Sequence, residues 1–588
     1  MTTIVGKDAP LEDSIDRYRN NLKSLGLEVV ESDWLNPLEH VFSVHLALSD
    51  CAAVYSNGKG PSKLAALASA YGELFERLAT HMEFADFYLG LDNSRAPFVH
   101  FPDERWTAIP EDDESTPLPQ EVLNASLRRF YTKGTGVTLS HLVDLQSSSF
   151  SRGVCSVPFA NARNGEVVYF PVNLLDNLYG SNGMSAGNTE YEALVQGLSE
   201  ILERYAKKEI ISKGLALPPV PQEIIERYPN CARTLHDLQG GGLKTVCYDA
   251  SLGGKFPVLC VTLFNQSNGT CFASFGAHPI FEVALERTLT ELMQGRSFSD
   301  LDNFEEPEFD LKRTSDPVNL SSHFIDSTGI LPLQMFRREP DFRFVAWDFA
   351  GNTHDQYKAL RYMIDKLGFD IYVRGYGALG VPVYRIVVPG MSEIYPLDDL
   401  VYNNTNAAID FQEALLSLPD SEESVETYES YLKELEDEDL GNETLVCAVL
   451  GVLPDEDSPW ATLRLGELKC LLALAAQQWN PALSYAAWTV NYNRGSFPLS
   501  RLKFYQCLMR LLECLTDAKL NENDYVEALE SLYGEATVKQ ALAHVEGHER
   551  FCGLKGSDLN LKGFTTHQAL LSVFTRIKEA RLGEGEHD

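Results

Sequence analysis

The stretch GELFERL, Gly72 to Leu78, is echoed by SEILERY, Ser199 to Tyr205, so that Glu-x-x-Glu-Arg stands on two separate segments of one chain. Carboxylates three residues apart share one side of a helix. A guanidinium next to the second adds paired N–H donors. Such a set suits a hard cation and a phosphate group together. The same pattern occurs in EIIERY, from Glu223, and in EGHERF, from Glu546, where it asks for nothing beyond a solvated helix face.

The elements that must position these residues are three predicted helices. The first opens at Ser62 as N-cap. An advance of about 100° per residue puts Leu64, Leu67, Tyr71, Leu74 and Leu78 on a core stripe, with Glu73 and Glu76 opposite. Their companions Ala66, Ser69, Ala70 and Thr80 are small enough to admit a close neighbour. In the second helix, TEYEALVQGLSEILERYAKK, the stripe is Leu194, Leu198, Ile201, Leu202 and Tyr205; Glu192, Gln196 and Glu203 lie opposite, with Glu200 at the edge. In the third, PIFEVALERTLTELMQGR, the stripe is Phe281, Leu285, Leu289 and Leu292, and Arg287 and Glu291 project away. If the polar faces converge, six carboxylates meet. Like charges about 4 Å apart oppose each other by roughly 4 kcal/mol at an effective dielectric near 20, so cations or protons must relieve them. Mg²⁺ uses only one or two carboxylates, so six imply at least two ions or members that act from behind the ligands. Arg77, Arg204 and Arg287 would then face phosphate oxygens. From spacing alone, three ordinary exposed helix faces is the simpler reading.

Two longer strings, NGKGPSKLAALASAYGELFERL and SNGMSAGNTEYEALVQGLSEILERY, resemble signature segments of the YcaO-domain family, and ALERTLTELMQGR and RIVVPGMSEIYP resemble two further blocks of it. The resemblance covers residues 1 to about 400. It implies binding of ATP with Mg²⁺ between glutamate-bearing helices, without any standard nucleotide motif. Metal-contacting roles are implied for Glu73, Glu76, Glu192, Glu200, Glu203 and Glu291, with Glu76, Glu203 and Arg287 as the catalytic set. Nucleotide contacts are implied for Lys7, Ser14, Arg77, Ser185, Asn188, Arg204 and Arg287. Gly183 and Gly187 permit close backbone approach in the loop before the second helix, whose free N–H groups favour anions. Without the family, the segment GKDAPLEDS, which carries Lys7 and Ser14, reads as a mobile terminus.

The family chemistry implied is ATP-dependent activation of a peptide amide, for which metal ions and arginines suffice. Members that form heterocycles commonly end in a Pro-rich tail, whereas this sequence ends RLGEGEHD and carries a helical extension after residue 400. In that it resembles a member described as an ATP-hydrolysing accessory factor, which assists a radical-SAM methylthiotransferase in modifying an aspartate of a small-subunit ribosomal protein. The alternatives are an amide-activating enzyme of cyclodehydratase or thioamide type with an unidentified peptide, and a non-catalytic adaptor working through its helical extension.

Fold class follows from the pattern of elements. Between residues 40 and 400, runs such as HVFSVHLAL, SVPFANAR, EVVYFPVNLL, FPVLCVTLFN, TCFASFGAH, FRFVAWDFAG, FDIYVRGYG and VYRIVVPGM alternate with helical segments, which predicts an α/β body of mixed sheets with packed helices. The acidic run SEESVETYESYLKELEDEDLGNE reads as a solvated boundary helix, and the remainder as an all-α domain loosely like a tetratricopeptide array. The expected domains are residues 1–405 and 406–588.

Composition bounds the rest. A net charge of -35 repels nucleic acids and anionic membranes. The eleven cysteines lack any Cys-x-x-Cys pair, so a reducing cytoplasm is expected. Neither a leader nor an apolar run of spanning length is seen. A second copy of the chain is a further expected partner. GYGALG, Gly375 to Gly380, is followed by a strand rather than a helix, so a hairpin is predicted instead of a dinucleotide site. GKGPSK fails as a phosphate-binding loop, and His544 and His548 are expected on a helix surface.

Overall fold

The computed structural model describes residues 1–584 except 114–115, 241–242, 298–299, 301–303, 350 and 439; the last four residues of the tail lie outside the described residues. An N-terminal helix, Leu11–Ser24, precedes a meander of β1 (Val29–Leu38), β2 (Val41–Leu48) and β3 (Tyr55–Gly60), paired in that order. β4 (Arg105–Thr107), β5 (Val154–Asn161), β6 (Val167–Pro171) and β7 (Met184–Ala186) begin a second sheet. β8 (Leu243–Asp249), β9 (Val258–Asn265) and β10 (Thr270–Ala277) form an antiparallel third. β11 (Tyr372–Tyr376) and β12 (Val383–Val387) then return to the second, whose order is β4-β5-β11-β12-β7 with β6 beside β5. β11 and β12 pair antiparallel from Tyr376 opposite Val383, so GYGALG is the hairpin its sequence predicts.

Three corrections concern local structure. FRFVAWDFAG is not a strand over its described residues: its donors go to side-chain and loop acceptors, Val345 N–H to the Asp249 carboxylate at the end of β8 at 3.0 Å and Trp347 Nε1–H to the His278 carbonyl at 3.2 Å, while Phe344 and Trp347 pack singly onto a core. The latter part of EVVYFPVNLL is a helix, Val172–Tyr179, begun after Pro171. Leu64 is 37% exposed rather than core. The reason is the small face of the helix Lys63–Thr80: a Cβ on Gly58 would lie 2.0 Å from the Ala66 carbonyl, and one on Gly60 2.7 Å from Ala65 Cβ. The close neighbour admitted by Ala66 and Ala70 is the chain's own β3, and this seating turns Leu64 outward.

Beyond residue 400 the described elements are helical, among them Val425–Asp437, Leu465–Ala475, Trp479–Asn493, Leu499–Thr516, Val526–Tyr533 and Glu535–Val545. The acidic helix is amphipathic rather than solvated all round, burying Tyr428, Leu432 and Leu435. His544 is buried, with Cys552 N–H donating to its Nε2 at 3.2 Å; only His548 is on the surface. The final helix, Thr565–Glu584, turns back: Leu570, Val573, Phe574 and Ile577 join the core that holds Leu74 and Leu78. All eleven cysteines are free thiols, and among the described residues no helix is long and apolar enough to cross a membrane.

Candidate functional site

Each carboxylate-bearing helix starts from a side-chain cap or a strand end that fixes its direction. Ser62 Oγ accepts from Ala65 N–H at 3.2 Å, which sets the start of Lys63–Thr80. Thr189 Oγ1 accepts from Glu192 N–H at 3.2 Å at the start of Glu190–Lys213. In the loop before it a Cβ on Gly183 would stand 2.2 Å from the Ile386 carbonyl, and φ there is +79°. Only glycine fits. The third helix, Phe281–Leu292, follows β10 directly, with Phe281, Leu285, Leu289 and Leu292 buried as predicted.

The polar faces meet. Arg287 Nη1–H donates to Gln196 Oε1 at 2.7 Å, joining the third helix to the second. Arg77 lies 2.6 Å from Glu73, Arg204 lies 3.0 Å from Glu200, and Lys59, from β3, pairs with Glu291. Burial pushes the Glu76 carboxyl well above the ordinary range, and the charges of Glu200 and Glu73 push it further. Glu200 is raised by burial with Glu203 acting in the same direction. Burial and then Arg287 bring the Lys59 ammonium down to about 8, against the opposing pull of Glu203, Glu73 and Glu200. Glutamates of two helices therefore share one electrostatic site.

Glu192 belongs to a second locus. It is buried, with the Lys7 ammonium 3.2 Å away, the Asp8 N–H donating at 2.8 Å and the Asn188 amide at 3.0 Å. Burial works to raise its pKa, yet these partners together hold it below the usual range. Ser14 Oγ–H donates to Asn188 Oδ1 at 2.8 Å and Arg17 Nη2–H donates to the same oxygen at 2.6 Å. Asp8 accepts from Thr189 and, at 2.8 Å, from Thr353. The N-terminal segment is thus fastened over the start of the second helix rather than loose. Tyr18 feels the charges of both Glu192 and Glu76, and His278 those of both Arg287 and Lys7, so the two loci are electrostatically coupled.

The six carboxylates expected at one point are divided between two adjoining loci and interleaved with cations. Among the described residues, no three His, Cys, Asp or Glu side chains form a ready-made metal cage. Mg²⁺ does not require one, because it is held by one or two carboxylates with phosphate oxygens and water completing its shell. The donors present are hard oxygens, and the Ser185 hydroxyl is buried without a partner near the second helix. Donor chemistry and the orphaned hydroxyl both fit a magnesium-bound phosphate ligand.

Lys59, Asp8, Arg17 and His278 are participants that spacing did not reveal, whereas Gln196 lies on the polar face where spacing puts it. Lys59 had a legible signal: in β3 Ser56, Gly58 and Gly60 face inward and Tyr55, Asn57 and Lys59 alternate to the other side. A glycine-rich segment reads as a loop, and that hid the alternation.

The model of the YcaO cyclodehydratase, ATP- and Mg²⁺-binding, matches residues 57–392, and that of the YcaO cyclodehydratase C-terminal domain matches 408–582. An uncharacterized protein of Haemophilus influenzae is 45% identical over 582 residues, 99% of each chain. The ribosomal protein S12 methylthiotransferase accessory factor YcaO of Escherichia coli K12 is 44% identical over 581 residues, also 99% of each. Among solved structures, a heterocyclase in complex with substrate and cofactor is similar with a TM-score of 0.44 and 18% identity, over 66% of this chain and 53% of that one. YcaO from Methanopyrus kandleri, bound with AMPPCP and Mg²⁺, gives 0.41 and 19%, over 66% of this chain and 93% of that one. The chain belongs to the YcaO family, and ATP and Mg²⁺ are the ligands of its N-terminal domain.

Proposed function

We propose that the chain is a Mg²⁺-dependent ATP hydrolase that serves as an accessory factor to a radical-SAM methylthiotransferase acting on an aspartate of a small-subunit ribosomal protein. Residues 1–405 form its nucleotide unit and residues 406–588 the unit that meets a partner or a second copy. The observation that carries this is the crowding of Glu73 and Glu76 against Glu200 and Glu203, with Lys59, Arg77, Arg204 and Arg287 as the resident cations. The printed name of the Escherichia coli relative supports the partner. A net charge of -35 suits a basic, RNA-binding target protein. The free thiols agree with a cytoplasmic home.

In this reading Glu73, Glu76, Glu200, Glu203 and Glu291 are oxygen donors at one end and Glu192 at the other. Mg²⁺, when bound there, would neutralise phosphate charge as water takes the γ-phosphoryl group and ADP leaves. Arg77, Arg204 and Arg287 direct N–H groups at the phosphates, Ser185 and Asn188 hold the nucleotide, and Lys7 with Ser14 closes over it. Glu76, Glu203 and Arg287 are proposed as the catalytic set. Direct activation of a peptide amide is the second reading, favoured by the cyclodehydratase name of the family model.

The test is phosphate release from Mg-ATP with and without the methylthiotransferase and its ribosomal-protein target. Stimulation by the pair, lost in Glu203→Gln, is expected. A protein that releases no phosphate under any of these conditions is not this enzyme. A mass change on a co-expressed peptide, with no response to the pair, selects the second reading.

A further inference from the structure

The helix that carries Glu73, Glu76 and Arg77 ends at His81, in the left-handed region at φ 75°, and its last carbonyls are met by the opposite end of the chain. Arg581 Nη2–H donates to the Leu78 and Ala79 carbonyls at 3.0 and 3.2 Å, and its Nη1–H to the His100 carbonyl at 2.8 Å. Two turns earlier on the same face, Phe574 stacks on the His81 ring with centroids 5.1 Å apart and planes at 16°. Arg581 is 4% exposed, and its guanidinium lies over the Phe101 ring at 4.5 Å.

We infer that Arg581 is a positioning residue for the magnesium site, the cap that holds the last turn of the carboxylate helix in place. A buried cation is normally matched by a carboxylate. Among the described residues none lies within salt-bridge distance of Arg581, and burial brings its pKa down to about 9. What faces the charge is the negative end of the helix dipole, together with carbonyls that have no partner further along the helix. The same turn contains Glu76 and Arg77. Thr80 Oγ1–H ties back to the Glu76 carbonyl at 2.8 Å, so the carbonyls of residues 76, 78 and 79 are all held. If the guanidinium is removed, this turn loosens, and with it the aim of the Glu76 carboxylate and the Arg77 guanidinium.

The arrangement also joins the two units. His567, in the same final helix, accepts from Leu453 N–H at 3.0 Å and donates to the Tyr88 carbonyl at 2.8 Å. The final helix therefore holds Leu453 of the helical unit and the end of the carboxylate helix at once. This inference rests on the reading of Glu73 and Glu76 as magnesium donors.

Three full-length variants test it: Arg581→Met, Arg581→Lys and Ile577→Ala, each followed by thermal unfolding and by ATP hydrolysis across a Mg²⁺ titration. Ile577 is fully buried in the same core, and its aliphatic side chain has no N–H to give the carbonyls of the cap, so it reports general loosening. Arg581→Met should raise the Mg²⁺ concentration for half-maximal hydrolysis roughly tenfold or more. Arg581→Lys should recover part of that, while Ile577→Ala lowers the unfolding midpoint and leaves the Mg²⁺ requirement unchanged. Should Arg581→Met fail to fold, a Mg²⁺ shift in Arg581→Lys that exceeds the one in Ile577→Ala supports the inference. A wild-type Mg²⁺ requirement in the Arg581 variants, or an equal shift in Ile577→Ala, overturns it. Wild-type protein without Mg²⁺-dependent hydrolysis overturns the functional reading as well.

Discussion

The Lys7 ammonium stands 3.2 Å from the Glu192 carboxylate, and the next residue donates its backbone N–H to the same side chain at 2.8 Å. One buried carboxylate on the second helix thus fastens the beginning of the chain across the place where that helix starts. Lys7 is about one-third exposed, so as a free-standing ion pair the contact contributes under about 1 kcal/mol; its importance lies in what the segment covers. Lys7→Ala should leave the unfolding midpoint nearly unchanged while weakening ATP binding roughly tenfold, the loss of one charge-assisted contact. In limited proteolysis, Mg-ATP should protect the bonds around Gly6 to Pro10 in the wild type and protect them poorly in the variant. Equal cleavage of both proteins with and without nucleotide would show that the segment does not close over a ligand.

Function and stability should part company at Glu76. Its carboxyl is raised by burial and by the charges of Glu200 and Glu73, and Arg77 and Arg204 only partly offset them. Glu76→Gln keeps the shape and removes a group that must either stay charged among like charges or take up a proton. Without ligand the variant should unfold a few degrees higher than the wild type, as happens when a site built for a ligand is relieved of its strain. Its Mg-ATP turnover should fall by at least about a hundredfold. Calorimetry and phosphate release on the same sample decide the matter; a variant that is both less stable and fully active would contradict the crowded site.

Lys59 offers the opposite trade. It pairs with Glu291 and stands among Glu203, Glu73 and Glu200. Lys59→Met makes the pocket more negative, so Mg²⁺ alone should bind several-fold more tightly while ATP binds more weakly. Titration calorimetry with each ligand separately would reveal these opposite signs. Parallel changes in both affinities would mean that Lys59 acts on the fold and not on the field of the site.

The parts of the fold legible in the sequence are those in which one periodicity governs many residues. Leu67, Tyr71, Leu74 and Leu78 are buried as their spacing predicts, and Ser62 caps the helix it opens. Glu73, Glu76, Glu200 and Glu203 could be placed on helix faces, but spacing could not say that those faces meet. That depends on β3, whose glycines let the first helix lie close enough to bring Glu73 and Glu76 to the second. Glu192 also holds the N-terminus, a contact across 184 residues that leaves no periodic trace. The docking of the final helix on the first unit is illegible for a related reason: its stripe of Leu570, Phe574, Ile577 and Arg581 ends in a charge, and only the carbonyls it meets explain why that charge is buried.

The joint between the two units should also be visible as acid sensitivity. His567 is fully buried, accepts from Leu453 N–H and donates to the Tyr88 carbonyl, so both ring nitrogens are engaged in the neutral form. Burial lowers its pKa to about 4, with the Tyr88 carbonyl working in the other direction. Folding thus resists protonation of this ring: its contribution is fully present above about pH 6.5 and is lost as pH falls toward 4, on the order of 3 kcal/mol in all. Burial lowers His278 and His323 to about 3, which adds the same sign. His100, raised by Asp144 against the effect of burial, opposes it. The difference between wild type and His567→Gln isolates the one ring, because glutamine keeps a donor for Tyr88 and does not titrate. At neutral pH the variant should be less stable by about 1 kcal/mol, the net worth of the bond from Leu453. Urea unfolding at descending pH should show this gap closing and then reversing. A gap that stays constant down to about pH 4 would mean that the ring is free to take up a proton in the folded protein, and that the final helix is held less firmly at Tyr88 than its hydrogen bonds indicate.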